Sequence, residues 1–206
     1  MDFQNSTELD GDRLQRLLIR HTYPYRHERL KVRVRYSRGA DFSGTCFYSD
    51  VRIFVNLGRH VRFPYQLGTH IARAQCNATH WWRETFRLVL ADPYQLALFV
   101  YLHELYHYLV KTAQRNPRRK EAMCDRFATR VLVDQHGCAV IGARGQRVAR
   151  HRWDFQDVDA FVAAAPRVPT TLFDLVEPRP PRPIPVRVLG VRAGARRKRR
   201  TAEHCS

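Results

Sequence analysis

The sequence predicts an α+β domain in which a small mixed β-sheet of about three to five strands packs on two central helices. Three observations carry that prediction. Apolar residues alternate with polar ones at residues 30–36, 51–57 and 85–90, the period of half-buried strands. A helix opening at Asp92-Pro93 is apolar on most of its circumference, which only a central helix can bury. A second helix opens at Asn116-Pro117, an N-cap residue followed by the proline that suits the first helical position, close enough to fold back on the first.

In chain order, Leu14, Leu17, Leu18 and His21 fall at helical spacing after Asp10-Gly11-Asp12, and Pro24 closes that helix. Leu30, Val32, Val34 and Tyr36 alternate with Lys31, Arg33 and Arg35, giving a strand with a basic outer face. Residues 37–43 read as a turn, residues 45–48 as a short strand, and Val51, Ile53, Val55 and Leu57 as a further strand ending at Gly58. Residues 59–82 show no sustained periodicity and hold His60, His70, His80 and the pair Trp81-Trp82. They can be an insertion lining a cleft. The favoured expectation puts the tryptophans in the core and the histidines at the surface. In the first central helix Leu96, Val100, His103, His107 and Val110 form one stripe, and Leu98, Leu102, Leu105 and Leu109 another. The second, over residues 117–135, carries Glu121, Cys124, Asp125, Ala128 and Leu132 on one face. Arg118, Arg119, Arg126 and Arg130 are expected as its solvated face, and Gly137 ends it. Residues 138–141 suit a short strand and residues 156–164 a short helix.

Composition sets the outer limits. A chain of 206 residues, 44% hydrophobic, can build one domain over residues 1–177. Residues 178–206 are a Pro/Arg-rich tail with 9 basic residues and 1 acidic, which cannot build a core and is expected to be disordered. The tail is the densest part of a net charge of +17, and electrostatic attachment to nucleic acid or another polyanion is weighed equally against a solubilising role. The N-terminus lacks a signal-peptide pattern, and no apolar run reaches about 18 residues, so no membrane span is expected. The five cysteines include no C-x-x-C pair and read as reduced thiols in a cytoplasmic protein.

The chemistry concentrates in His103-Glu104-Leu105-Tyr106-His107. Residues four apart on a helix share a face, so His103 and His107 can aim two imidazole nitrogens at one zinc ion. Glu104 then lies beside the metal, where its carboxylate can take a proton from a metal-bound water. With 10 histidines in the chain, chance supplies roughly 0.02 such motifs. The plain alternative, histidines and a glutamate merely satisfied by hydrogen bonds, leaves a carboxylate in a very apolar helix. A catalytic zinc needs a third ligand, and Glu121 on the next helix is well placed to supply it. His136 and His151 are the rivals. His136 falls about four turns further along the same helix, and His151 beyond two glycines on a path the sequence does not define.

His103-Glu104-x-x-His107 followed by Glu121-Ala122-Met123-Cys124-Asp125 resembles the gluzincin metallopeptidases, and Glu121 to Ala128 is similar to small ImmA/IrrE-like and minimal gluzincin domains. The resemblance covers about residues 84–135. It implies a zincin-like fold, with His103, His107 and Glu121 as ligands to one zinc ion, Glu104 as general base, and Asp125 as the partner that orients His103. It also implies an edge strand that runs over the motif helix and pairs with a peptide; residues 51–57 or 87–90 are the candidates, weighed equally against both being interior strands.

The function expected is zinc-dependent hydrolysis of a peptide bond in a peptide or protein substrate. An oxyanion donor is also needed, with Tyr106, His136 and His151 as candidates. The alternative is a basic, nucleic-acid-associated regulatory protein whose metal site is structural or sensory.

Overall fold

The computed structural model describes residues 1–25, 29–117 and 120–163, all within one compact unit, Met1–Pro166. The boundary expected at residue 177 and the basic tail lie outside the described residues.

The chain is a mixed α+β unit. Strand β1 (Asp2–Asn5) leads into helix α1 (Gly11–Thr22), whose Asp10 cap accepts a hydrogen bond from the Arg13 amide. Strands β2 (Lys31–Tyr36), β3 (Phe42–Phe47) and β4 (Arg52–Leu57) follow. The four strands form one mixed sheet in the order β1-β2-β4-β3, with β1, β2 and β4 parallel and β3 antiparallel to β4. Burial in β2 obeys the predicted alternation, with Val32 and Val34 inside and Lys31 and Arg35 outside.

Next come β5 (Tyr65–Thr69), the hairpin β6 (Ala74–Cys76) and β7 (Trp81–Arg83), and β8 (Phe86–Leu90). With β9 (Ala139–Ile141), β5 and β8 make an antiparallel sheet in the order β5-β8-β9. The β-structure among the described residues is therefore divided among three small sheets. Both candidate edge strands are interior: β4 lies between β2 and β3, and β8 between β5 and β9. The strand at the sheet margin nearest the motif helix is β3, the short strand expected at residues 45–48, which begins earlier, at Phe42, inside the expected turn.

Helix α2 (Pro93–Thr112) is capped by Asp92, which accepts from the Gln95 amide at 2.8 Å, with Pro93 at its first position. From residue 96 to residue 110 every side chain but His103 and Tyr108 is buried, so the helix is central, and each fully enclosed leucine contributes about 1.5–3 kcal/mol. Helix α3 (Lys120–His136) runs back along it: Glu121 meets His103 and His107, while the His136 carbonyl accepts from Gln95 near the start of α2. Gly137, at φ +67°, ends α3, a backbone angle that glycine adopts without strain. Helix α4 (Val158–Ala163) completes the unit.

Two packing expectations are overturned. Trp81 and Trp82 are 73% and 44% exposed, because they lie on a two-stranded hairpin that the described residues cover only in part. Arg126 is 2% exposed, not solvated. Its Nε donates to the Trp153 carbonyl at 2.7 Å and its Nη2 to the Ile71 carbonyl at 3.0 Å, with a further bond to Gln156, and its guanidinium stacks on Phe155. One side chain thus ties α3 to two loops.

Candidate metal centre

Helical spacing on α2 puts His103 and His107 side by side, and the return of α3 brings Glu121 to them. The Nε2 atoms of the two histidines are 3.1 Å apart, and Glu121 Oε2 lies 3.2 Å from one and 3.3 Å from the other. Three lone-pair-bearing atoms converging on one point repel one another unless a proton or cation lies between them. Tetrahedral zinc, with Zn–N and Zn–O near 2.0–2.1 Å, needs its ligand atoms about 3.3 Å apart. The three residues fit that ion. His107 Nδ1 is buried without a hydrogen-bond partner, so its Nε2 is the only ring nitrogen engaged among the described residues.

A rival donor set exists. The ligand atoms of His103, His107 and Cys124 all lie within 4.8 Å of one another. The looser spacing favours Glu121; in the metal-free chain burial drives the Cys124 thiol pKa far up, with the charges of Glu121, Asp125 and Glu104 adding to it. Glu121 is the exposed member of the triangle, its side chain 66% accessible, and it opens the centre to solvent.

Asp125, one turn after Glu121, is buried and uses both oxygens. Oδ1 sits 2.8 Å from His103 Nδ1, while Oδ2 accepts from the His70 amide at 2.7 Å and lies 3.1 Å from His70 Nδ1. Burial alone would raise its pKa, but the bonds from His103 and His70 more than reverse this and hold it at about 2. For His103 burial works against the proton, and Asp125 outweighs it, raising the pKa. Burial and the neighbouring His103 push His107 down to about 4.

Glu104 is 9% exposed, and burial pushes its carboxyl up to about 7, with Glu121 adding and His103 and Lys120 opposing. Strand β3 crosses directly over it at Gly44. A Cβ there would lie 2.6 Å from Glu104 Cγ and 2.8 Å from Cδ, so only glycine lets the carboxylate stay in place. The same strand brings Cys46 beside Glu104, and burial raises that thiol to about 12.

His103, Glu104 and Glu121 line a cleft of about 200 Å³ walled by Phe42, Leu67, Phe99 and Val100. It lies between β3 and β5, each the terminal strand of its sheet. His70 also lines it, and spacing gave no signal for this residue, which follows β5 in the stretch without periodicity. The candidate oxyanion donors lie elsewhere. Tyr106 is fully buried, its hydroxyl donating to the Val158 carbonyl at 2.8 Å; His136 Nε2 is 3.1 Å from His21 Nε2 at the far end of α3; His151 is exposed in a 3-10 turn, Arg150–Arg152.

Among the described residues no helix is long and apolar enough to cross a membrane. No protein-family model, curated protein or solved structure matches the chain.

Proposed function

We propose that the chain is a zinc-dependent peptidase of the gluzincin type, with a zincin-like arrangement of β3, α2 and α3. The observation that carries the reading is the triangle of His103, His107 and Glu121 beside a buried Glu104, unpaired among the described residues, in an open cleft. One zinc ion held by the triangle would polarise a carbonyl and lower the pKa of a bound water. Glu104 accepts the proton of the attacking water and returns it to the leaving amine, a task suited to a carboxyl near neutrality. Asp125 fixes the tautomer and direction of His103. His70, anchored by Asp125 and facing the cleft, takes the oxyanion-donor role proposed for other residues from sequence. The free edge of β3 offers main-chain groups to an extended peptide.

The four described cysteines are unpaired, which supports a reducing, cytoplasmic setting, and the tail remains a candidate polyanion anchor. The second reading is a structural or sensory metal site in a nucleic-acid-associated protein, favoured by the proximity of Cys124 and the net charge of +17. Glu104→Gln separates them. Under the peptidase reading the variant keeps about one zinc per chain, loses hydrolysis and retains bound substrate peptides from cell extract. Unchanged function on the Gln substitution would reject it.

A further inference from the structure

On the opposite side of α2 from the cleft, α1 presents three arginines to a second cavity. Arg13, Arg16 and Arg20 are spaced three and four apart, so they share the face turned away from buried Leu14 and Leu18. They line a concavity of about 380 Å³ with Asp92, Tyr94 and Leu98 of the α2 start and His136 at the end of α3. Arg13 is fixed there, stacked 3.7 Å from the centre of the Tyr94 ring and 3.7 Å from Asp92. Asp92 is committed to the cap of α2, and no other acid among the described residues lines the cavity. Among the described residues neither Arg16 nor Arg20 forms an ion pair. Like charges one helical turn apart destabilise a helix unless a counter-charge is supplied. Opposite them, His136 presents an imidazole already paired with His21, a further nitrogen without negative charge.

From this juxtaposition we infer that the cavity is a binding site for a small organic phosphate. Arg16, Arg20 and His136 take the anion, and Leu17, Leu98 and Tyr94 face its apolar part. The volume suits a small molecule and not an extended polymer. The site is independent of the metal centre, so it stands or falls separately from the peptidase reading.

The test uses the full chain and phenyl phosphate as probe, followed by calorimetry and by amide chemical shifts. Saturable binding is expected, with shifts at Leu17, Gln95 and His136. Arg16→Gln with Arg20→Gln should weaken it by about tenfold or more, since two charge-assisted bonds are lost. Arg38→Gln with Arg144→Gln, which removes the same charge elsewhere, should leave it unchanged. Arg20→Glu alone should abolish it. Equal weakening in both double variants, shifts confined to the surroundings of His103, or no saturable binding to the unaltered chain would each overturn the proposal. A single-stranded oligonucleotide that displaces the probe and binds the cavity more tightly would also overturn it, assigning the arginines to a phosphodiester backbone.

Discussion

Replacing Asp125 by alanine removes one carboxylate that serves two histidines, and the consequences can be sized from its contacts. The His103 Nδ1, His70 amide and His70 Nδ1 groups all lose their partner. Zinc affinity should fall about 10- to 100-fold, because the imidazole of His103 is no longer held in one tautomer and direction. The metal-free protein should also lose about 2 kcal/mol of stability, the worth of a carboxyl held at about 2 against an ordinary 3.8 in a site with almost no solvent to screen it. The pH dependence follows from the two partners. Asp125 has a depressed pKa, so its contribution is complete above 3.8 and disappears as pH falls through about 2. His103 has a raised pKa, so its share is complete below 6.5 and disappears as pH rises through the folded value. The difference between unaltered chain and variant should therefore peak near pH 5. Chelator-competition titration gives the zinc affinity, and urea unfolding of metal-free protein across pH gives the stability. Zinc binding within about twofold of the unaltered chain, or a stability gap constant from acid to neutral pH, would refute the account.

Gly44→Ala should keep zinc bound yet lower peptide hydrolysis by about 100-fold, since the new methyl displaces the Glu104 carboxylate by the order of an ångström; zinc content and turnover measured on one sample check it. Arg126→Met should cost about 3 kcal/mol in urea unfolding because buried carbonyls of Trp153 and Ile71 lose their donor, whereas Arg130→Met, whose partner Asp159 is exposed, should cost no more than about 1 kcal/mol. Glu121→Ala should abolish zinc binding while Cys124→Ser and His151→Ala retain it. In the cobalt-substituted protein, a thiolate-to-metal charge-transfer band that vanishes in Cys124→Ser would instead make Cys124 a ligand.

The elements legible in the sequence are those whose pattern is local. Asp92-Pro93 caps α2, the alternation around Val32 and Val34 defines β2, and Gly137 ends α3, each a few residues deciding their own conformation. What escaped is what only tertiary contacts decide. Strand β1, Asp2–Asn5, has no apolar alternation and is a strand because it pairs with β2. Arg126 looks like one of a row of solvated arginines until the loops carrying Ile71 and Trp153 are seen to close over it. Trp81 and Trp82 have the composition of a core but lie on a two-stranded hairpin that the described residues leave largely exposed. At the candidate site the helical spacing of His103 and His107 was readable, and the approach of Glu121 followed from two adjacent helices. His70 and Gly44 were not readable, since one reaches the centre from the bend after β5 and the other from β3 of a different sheet.

The two buried carboxyls of the centre are driven in opposite directions, and this separates their work. Asp125 lies between two donating histidines and is held at about 2, so it stays an anion wherever the fold persists and can only orient. Glu104 sits among Phe99-side apolar walls and the glycine of β3, has no hydrogen-bond donor among the described residues, and is lifted to about 7. A carboxyl so placed can both take and release a proton near neutral pH, which a fixed anion cannot do. A cation on the neighbouring triangle favours the charged form, so the loaded centre would present Glu104 as an ionised base at neutral pH. Giving Glu104 an environment like that of Asp125 would leave a centre that binds metal but has no carboxyl beside it able to cycle a proton. That is why, in the proposed hydrolysis, the closeness of β3 over Glu104 matters as much as the ligands themselves.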